Sequence, residues 1–134
     1  MKLAYRTYPA RLMRMRDGDS YTLTLDLGVD TFVNWKTRLR GVDTPEKKHP
    51  LYLNARAAAE HAMSTVPADA GAFPLVVRTF QTRDGSDERE KYGRLLVDIL
   101  TPLQGDLATW LVDIGLAKYW DGHGEHPWVH EPLI

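Results

Sequence analysis

Residues 31–46 read TFVNWKTRLRGVDTPE, and the fold turns on how this stretch is read. Thr31 to Leu39 is rich in β-branched and aromatic types, which favours an extended strand. Gly41 and Pro45 then punctuate the chain, so strand gives way to loop where Asp43 and Glu46 stand. Pro45 biases Thr44 away from helical geometry and keeps the two carboxylates off a common helix face. Arg38 offers a fork of donors suited to phosphate oxygens, and Asp43 a hard anionic oxygen suited to a divalent cation. Glu46 is left to handle a proton. Taken alone, nine residues of this kind also fit a surface turn with a local ion pair.

Upstream, residues 3–15 carry Tyr5, Thr7, Tyr8, Leu12, Met13 and Met15 between basic residues and read as a first strand. Pro9 makes its early part an edge or a bulge. Asp17-Gly18-Asp19-Ser20 is a turn signal, and Tyr21 to Leu25 alternates cleanly as a second strand. Gly28-Val29-Asp30 turns the chain into the third, so the three strands form an antiparallel meander. Downstream, Leu51 to Val66 is rich in alanine and favours a helix between Pro50 and Pro67. Pro74 to Thr82 reads as a fourth strand, Arg83 to Glu90 as a mobile polar loop, and Tyr92 to Leu100 as a fifth strand. Asp106 to Ile114 places Leu107, Trp110, Leu111 and Ile114 on one face of a short helix, with Gly115 suited to its C-terminal end. The expected fold is mainly β with helices (α+β): a five-stranded OB-fold barrel, a helix between strands 3 and 4, and a short helix after strand 5.

At 134 residues, with 43% hydrophobic and 26% charged residues, the chain has the composition of one globular domain. It has no cysteine, which excludes disulfides and thiolate metal sites. The absence of an apolar h-region near residue 1 predicts a cytoplasmic location, and no apolar run approaches the roughly 18 residues of a membrane span. The net charge of −1 is unevenly spread. Residues 1–48 hold ten Lys/Arg against six Asp/Glu, whereas residues 104–134 hold one against five. A basic first third allows an anionic partner such as nucleic acid.

Three segments supply complementary chemistry. They are the Asp17–Asp19 turn, the Asp43/Glu46 loop, and Lys91-Tyr92-Gly93-Arg94 at the start of the fifth strand. Phosphodiester hydrolysis needs such parts: oxygen ligands for a cation, a base for water, and donors for the developing phosphorane charge. Together with their order, DGDS at 17–20, RLRGVDTPEKKHP at 38–50, KYGR at 91–94 and GLAKY at 115–119 resemble the staphylococcal nuclease (thermonuclease) family. The resemblance runs from about Tyr8 to Tyr119.

That resemblance implies a calcium-dependent nuclease cleaving DNA and/or RNA to leave 3′-phosphates. It implies calcium ligation by Asp19, Asp43 and the backbone carbonyl of Thr44. Arg38 and Arg94 grip the scissile phosphate, Glu46 is the general base, and Lys91, Tyr92 and Tyr119 bind the nucleotide. Asp17 reads at least as well as a turn residue bonding its own backbone as it does as a metal ligand. Ser20 stands where the family usually has threonine, and only fifteen residues follow Tyr119 where relatives often continue into a long helix. The division expected is a nuclease domain over residues 1–120 and a short tail over 121–134. Because the matched motifs end at Tyr119, His123 to Ile134 are expected to be dispensable for the metal site, with Trp120 and Trp128 pinning the tail to the barrel or to a second subunit. His123, Glu125, His126 and His130 fit no compact zinc spacing. Oligomeric state is open between a monomer and a weak dimer. The rival reading is a non-catalytic OB-fold module that binds nucleic acid or protein; the presence of Asp19, Arg38, Asp43, Glu46 and Arg94 together favours the enzyme.

Overall fold

A computed structural model of the chain describes residues 5–82 and 84–128. Three long strands open it: β1 (Tyr5–Asp17), β2 (Ser20–Asp26) and β3 (Phe32–Leu39). A two-residue strand, β4 (Val42–Asp43), precedes helix α1 (Tyr52–Ser64). Then come β5 (Leu75–Phe80), β6 (Leu95–Thr101), the short β7 (Gly105–Asp106), α2 (Leu107–Asp113) and the short β8 (Lys118–Tyr119). Strands β1, β2, β3, β5 and β6 form a closed five-stranded barrel of the OB type.

Each join in the barrel has a readable cause. β1–β2 and β2–β3 are antiparallel ladders set by the short turns between them. β1 is long enough to serve two partners: β5 pairs with Tyr5 to Ala10, and β2 with Ala10 to Asp17. Before Ala10 the side of β1 turned away from β5 is an edge, which is where Pro9 is tolerated. Register shifts between Leu12 and Arg14 and between Met15 and Asp17 bend the strand over the barrel. Closure comes from a parallel pairing of Thr37–Leu39 in β3 with Leu95–Val97 in β6.

Alternate residues of the strands fill the interior, among them Leu23, Leu25, Leu39, Leu75, Val77, Val97 and Ile99, all buried. Helix α1 turns Ala55, Ala59, Ala62 and Met63 inward, small side chains that let it approach the barrel end closely. Arg56 Nε donates to the carbonyl of Arg16 at 3.1 Å, tying that helix to β1. Helix α2 is capped by Asp106, whose carboxylate accepts from the Thr109 N–H at 3.0 Å. It ends in a left-handed Gly115, with N–H bonds from Gly115 to Val112 and from Leu116 to Leu111. This is the paired C-terminal closure that glycine permits.

The polar segment expected as a mobile loop is a loop in its described residues, 84–90, tied down by isolated contacts. Bridges join Gln81 to Asp87 and Arg89 to Leu95, and Glu88 pairs with Arg40 at 3.1 Å. Among the described residues no helix is long and apolar enough to cross a membrane.

Candidate functional site

The β1–β2 turn is where the site begins. Gly18 is required there by space: a Cβ on it would lie 2.8 Å from Thr44 Oγ1 and 3.0 Å from Ala55 Cβ. The Tyr21 hydroxyl donates to the Gly18 carbonyl from beneath. Held this way, Asp19 points inward, and its Oδ2 accepts from the Thr44 N–H at 3.0 Å. Its Oδ1 accepts from Ser20 Oγ at 3.2 Å. Asp17 points elsewhere: its Oδ1 accepts from the Tyr52 hydroxyl at 2.7 Å. It therefore anchors α1 instead of bonding its own backbone, and that contact raises the Tyr52 hydroxyl's pKa.

The end of β3 supplies Arg38, which is 6% exposed. Its Nη1 donates to the carbonyls of Leu39 and Val42, both at 3.0 Å, and lies 3.3 Å from Asp19 Oδ2. Nη2 lies 3.5 Å from Asp43 Oδ1. One guanidinium thus curls the 39–42 turn and separates two aspartates that would otherwise repel each other. At the start of β6, Arg94 Nη1 donates to Ser20 Oγ at 2.6 Å and Nη2 to Glu90 Oε2 at 3.1 Å. Its Nε is buried without a partner. Burial alone would raise Glu90, but hydrogen bonds from the Arg94 side chain and from the Arg94 and Tyr92 backbone hold its carboxyl below the ordinary range.

The polar contacts therefore run without a break from Glu90 through Arg94, Ser20, Asp19 and Arg38 to Asp43. Glu46 stands at the mouth, exposed, with no ion pair or side-chain hydrogen bond among the described residues. Asp19, Arg38, Asp43, Thr44, Glu46 and Arg94 share the wall of one polar cleft of about 410 Å³. Lys91, Tyr92 and Tyr119 do not line it. Lys91 Nζ sits over the Tyr92 ring at 5.1 Å, with Tyr92 exposed. Tyr119 is exposed too, opposite Val42 in the β4–β8 pair.

The tail is where the arrangement departs from expectation. His123 to Ile134 were expected to be dispensable for the metal site, yet His126 Nδ1 lies 2.8 Å from Asp43 Oδ1. The Trp128 indole N–H donates to the Asp43 carbonyl at 2.7 Å. Trp128 is buried, edge-on to His49 and 4.4 Å from the Lys118 ammonium. Trp120 and Trp128 do pin the tail to the barrel, but over the cleft. His130 lies outside the described residues. Neither His126 nor Glu90 was legible as a site residue. Glu90 sits four residues before Arg94, a spacing that could have flagged it, whereas nothing local marks His126.

Asp43 carries the test of whether a cation fits. Burial pushes its carboxyl above the usual range; the His126 hydrogen bond opposes that push and Asp19 adds to it. Its Oδ2 is buried without a hydrogen-bond partner among the described residues, a costly state for a carboxylate oxygen unless a proton or a cation meets it. No group of three or more His, Asp or Glu able to hold a metal forms among the described residues. A hard cation taking oxygens from two aspartates, a carbonyl and water fits this donor set; a soft or strictly tetrahedral ion does not. Scanned against models of known families and compared with curated proteins, the chain gives no match.

Proposed function

We propose that the chain is a staphylococcal-nuclease-like, calcium-dependent nuclease that hydrolyses phosphodiester bonds of DNA and/or RNA and leaves 3′-phosphates. The observation that carries this reading is the partnerless Oδ2 of Asp43, buried in a cleft that also holds Asp19, Arg38 and Arg94. Asp19 and Asp43, with the Thr44 carbonyl, would hold calcium. Bound there, calcium would supply positive charge to a phosphate oxygen and acidify water.

The chain's own residues do the rest. Arg94, whose Nε has no partner, turns toward an incoming phosphate and shares the charge of the pentacoordinate state. Arg38 holds Asp19 and Asp43 at fixed separation and adds a second positive charge. Glu46, free of partners at the mouth, takes a proton on its carboxylate from the attacking water.

One observation favours the rival binding module: the Arg38 fork is already occupied by two carbonyls and two carboxylates. The two readings separate in one assay. With calcium at mildly alkaline pH, the protein is expected to cut single-stranded DNA and RNA to 3′-phosphate ends, and a chelator to stop it. Binding without cleavage at every calcium concentration overturns the enzyme reading in favour of the module.

A further inference from the structure

His126 meets Asp43 on Oδ1, the oxygen that Arg38 also approaches, and leaves Oδ2 bare. A carboxylate accepts only, so with Asp43 ionised the His126 Nδ1 carries the proton and donates. The imidazole is itself held. Its ring packs on Trp120 with centroids 4.1 Å apart and planes tilted by 32°. Trp120 in turn donates its backbone N–H to Gly41 and its indole N–H to the His123 carbonyl, both at 3.0 Å. Meanwhile Trp128 fixes the backbone of the same aspartate. The segment from Trp120 to Trp128 therefore grips Asp43 at two atoms.

We propose that His126 is a positioning residue for the cation site: by taking up Oδ1 it fixes the Asp43 carboxylate so that Oδ2 alone is left to meet a cation. This rests on the nuclease reading above and deepens it. A terminal carboxylate torsion is broad and soft, so an Asp43 held only by the 3.5 Å contact with Arg38 keeps more freedom and must be ordered when a cation arrives. Prior ordering removes that cost from binding. Partners behind a metal ligand characteristically govern affinity in this way. The contact is not a plug, because it engages the oxygen that Arg38 already approaches and leaves the other without a hydrogen bond.

Three variants of the full chain test the assignment, with calcium as the probe and its dissociation constant read by calorimetry. His126→Leu keeps bulk and removes the donor, His126→Asn keeps an N–H donor near the Nδ1 position, and Trp128→Phe removes the indole N–H while keeping an aromatic ring. Calcium binding is expected to weaken roughly 10-fold or more in His126→Leu, to recover most of that in His126→Asn, and to weaken in Trp128→Phe. Terbium luminescence sensitised by the adjacent tryptophans gives a second readout that does not depend on cleavage. Equal calcium affinity in wild type and a folded His126→Leu overturns the proposal, and so does tighter binding, which would mean that the strap competes with the cation. Loss of fold in both His126→Leu and Trp128→Phe also overturns it, leaving a structural strap. If the wild type itself binds no calcium, the nuclease reading fails first. That outcome is visible without any variant.

Discussion

A lysine at position 38 would keep one positive charge and lose the geometry of the guanidinium. The carbonyls of Leu39 and Val42 both accept from Arg38 Nη1, and both carboxylates flank it. No ammonium spans that set. Arg38→Lys is expected to cost about 1–3 kcal/mol of stability through unpaired buried groups, and to slow cleavage by about 10²–10³-fold. Arg94→Lys is expected to slow cleavage comparably with less loss of stability, because fewer backbone groups depend on it. Arg40→Lys is the control. Its side chain pairs with Glu88 at 3.1 Å and lies over the Phe80 ring at 4.1 Å, a partly solvated arrangement that lysine can largely keep and whose ion pair is worth about 1 kcal/mol or less. Urea melts with single-turnover rates distinguish the three, and equal small effects at all three positions would remove the phosphate-gripping roles. At this scale the sequence was legible wherever neighbouring residues share one motif. Asp19, Arg38, Asp43 and Arg94 stand in local patterns whose chemistry can be reasoned out. His126 reaches Asp43 from 83 positions away, through a loop of glycine and proline that carries no periodicity.

The turn between β1 and β2 acts as a spacer between two elements that it does not belong to. Thr44 and Ala55 of α1 both press on the place where Gly18 has no side chain. A methyl group there must push the 43–44 segment or the helix outward. Gly18→Ala is expected to destabilise the protein by about 1–3 kcal/mol and to weaken calcium binding with it, since Thr44 donates its N–H to Asp19. Thermal melts with and without calcium check this, and a variant as stable as wild type with unchanged calcium affinity would show that the spacing has slack. The long strands and α1 could be read from alternation and alanine content because their periods repeat over enough residues to be distinctive. β4 and β8 could not, being two residues each and existing only through their mutual pairing. Residues 84–90 were readable as a loop from their polar composition, whereas the bridges that tie them down depend on β5 and β6 lying on either side.

For the molecule as a whole, barrel order followed from element order, because consecutive short-turn strands pair and an α-helix must cross before the fourth. The closing seam did not announce itself. It consists of three residue pairs, Thr37 with Leu95, Arg38 with Leu96 and Leu39 with Val97. The same seam carries Arg38 and lies next to Arg94, so the phosphate grip and the barrel are expected to be lost together. In a urea titration without calcium, cleavage competence restored on adding calcium should track the far-UV signal with one midpoint. An earlier loss of competence would mean that the site opens while the barrel stays closed. The seam also joins segments about 60 residues apart in the chain, a separation that makes such pairings late events in folding. Protein synthesis proceeds from the N-terminus, so Asp19, Arg38 and Asp43 leave the ribosome well before the strand that completes their barrel. On the proposed nuclease reading, the site stays incomplete while the first two thirds of the chain are being made, and the nascent chain would not cut the message from which it is being read.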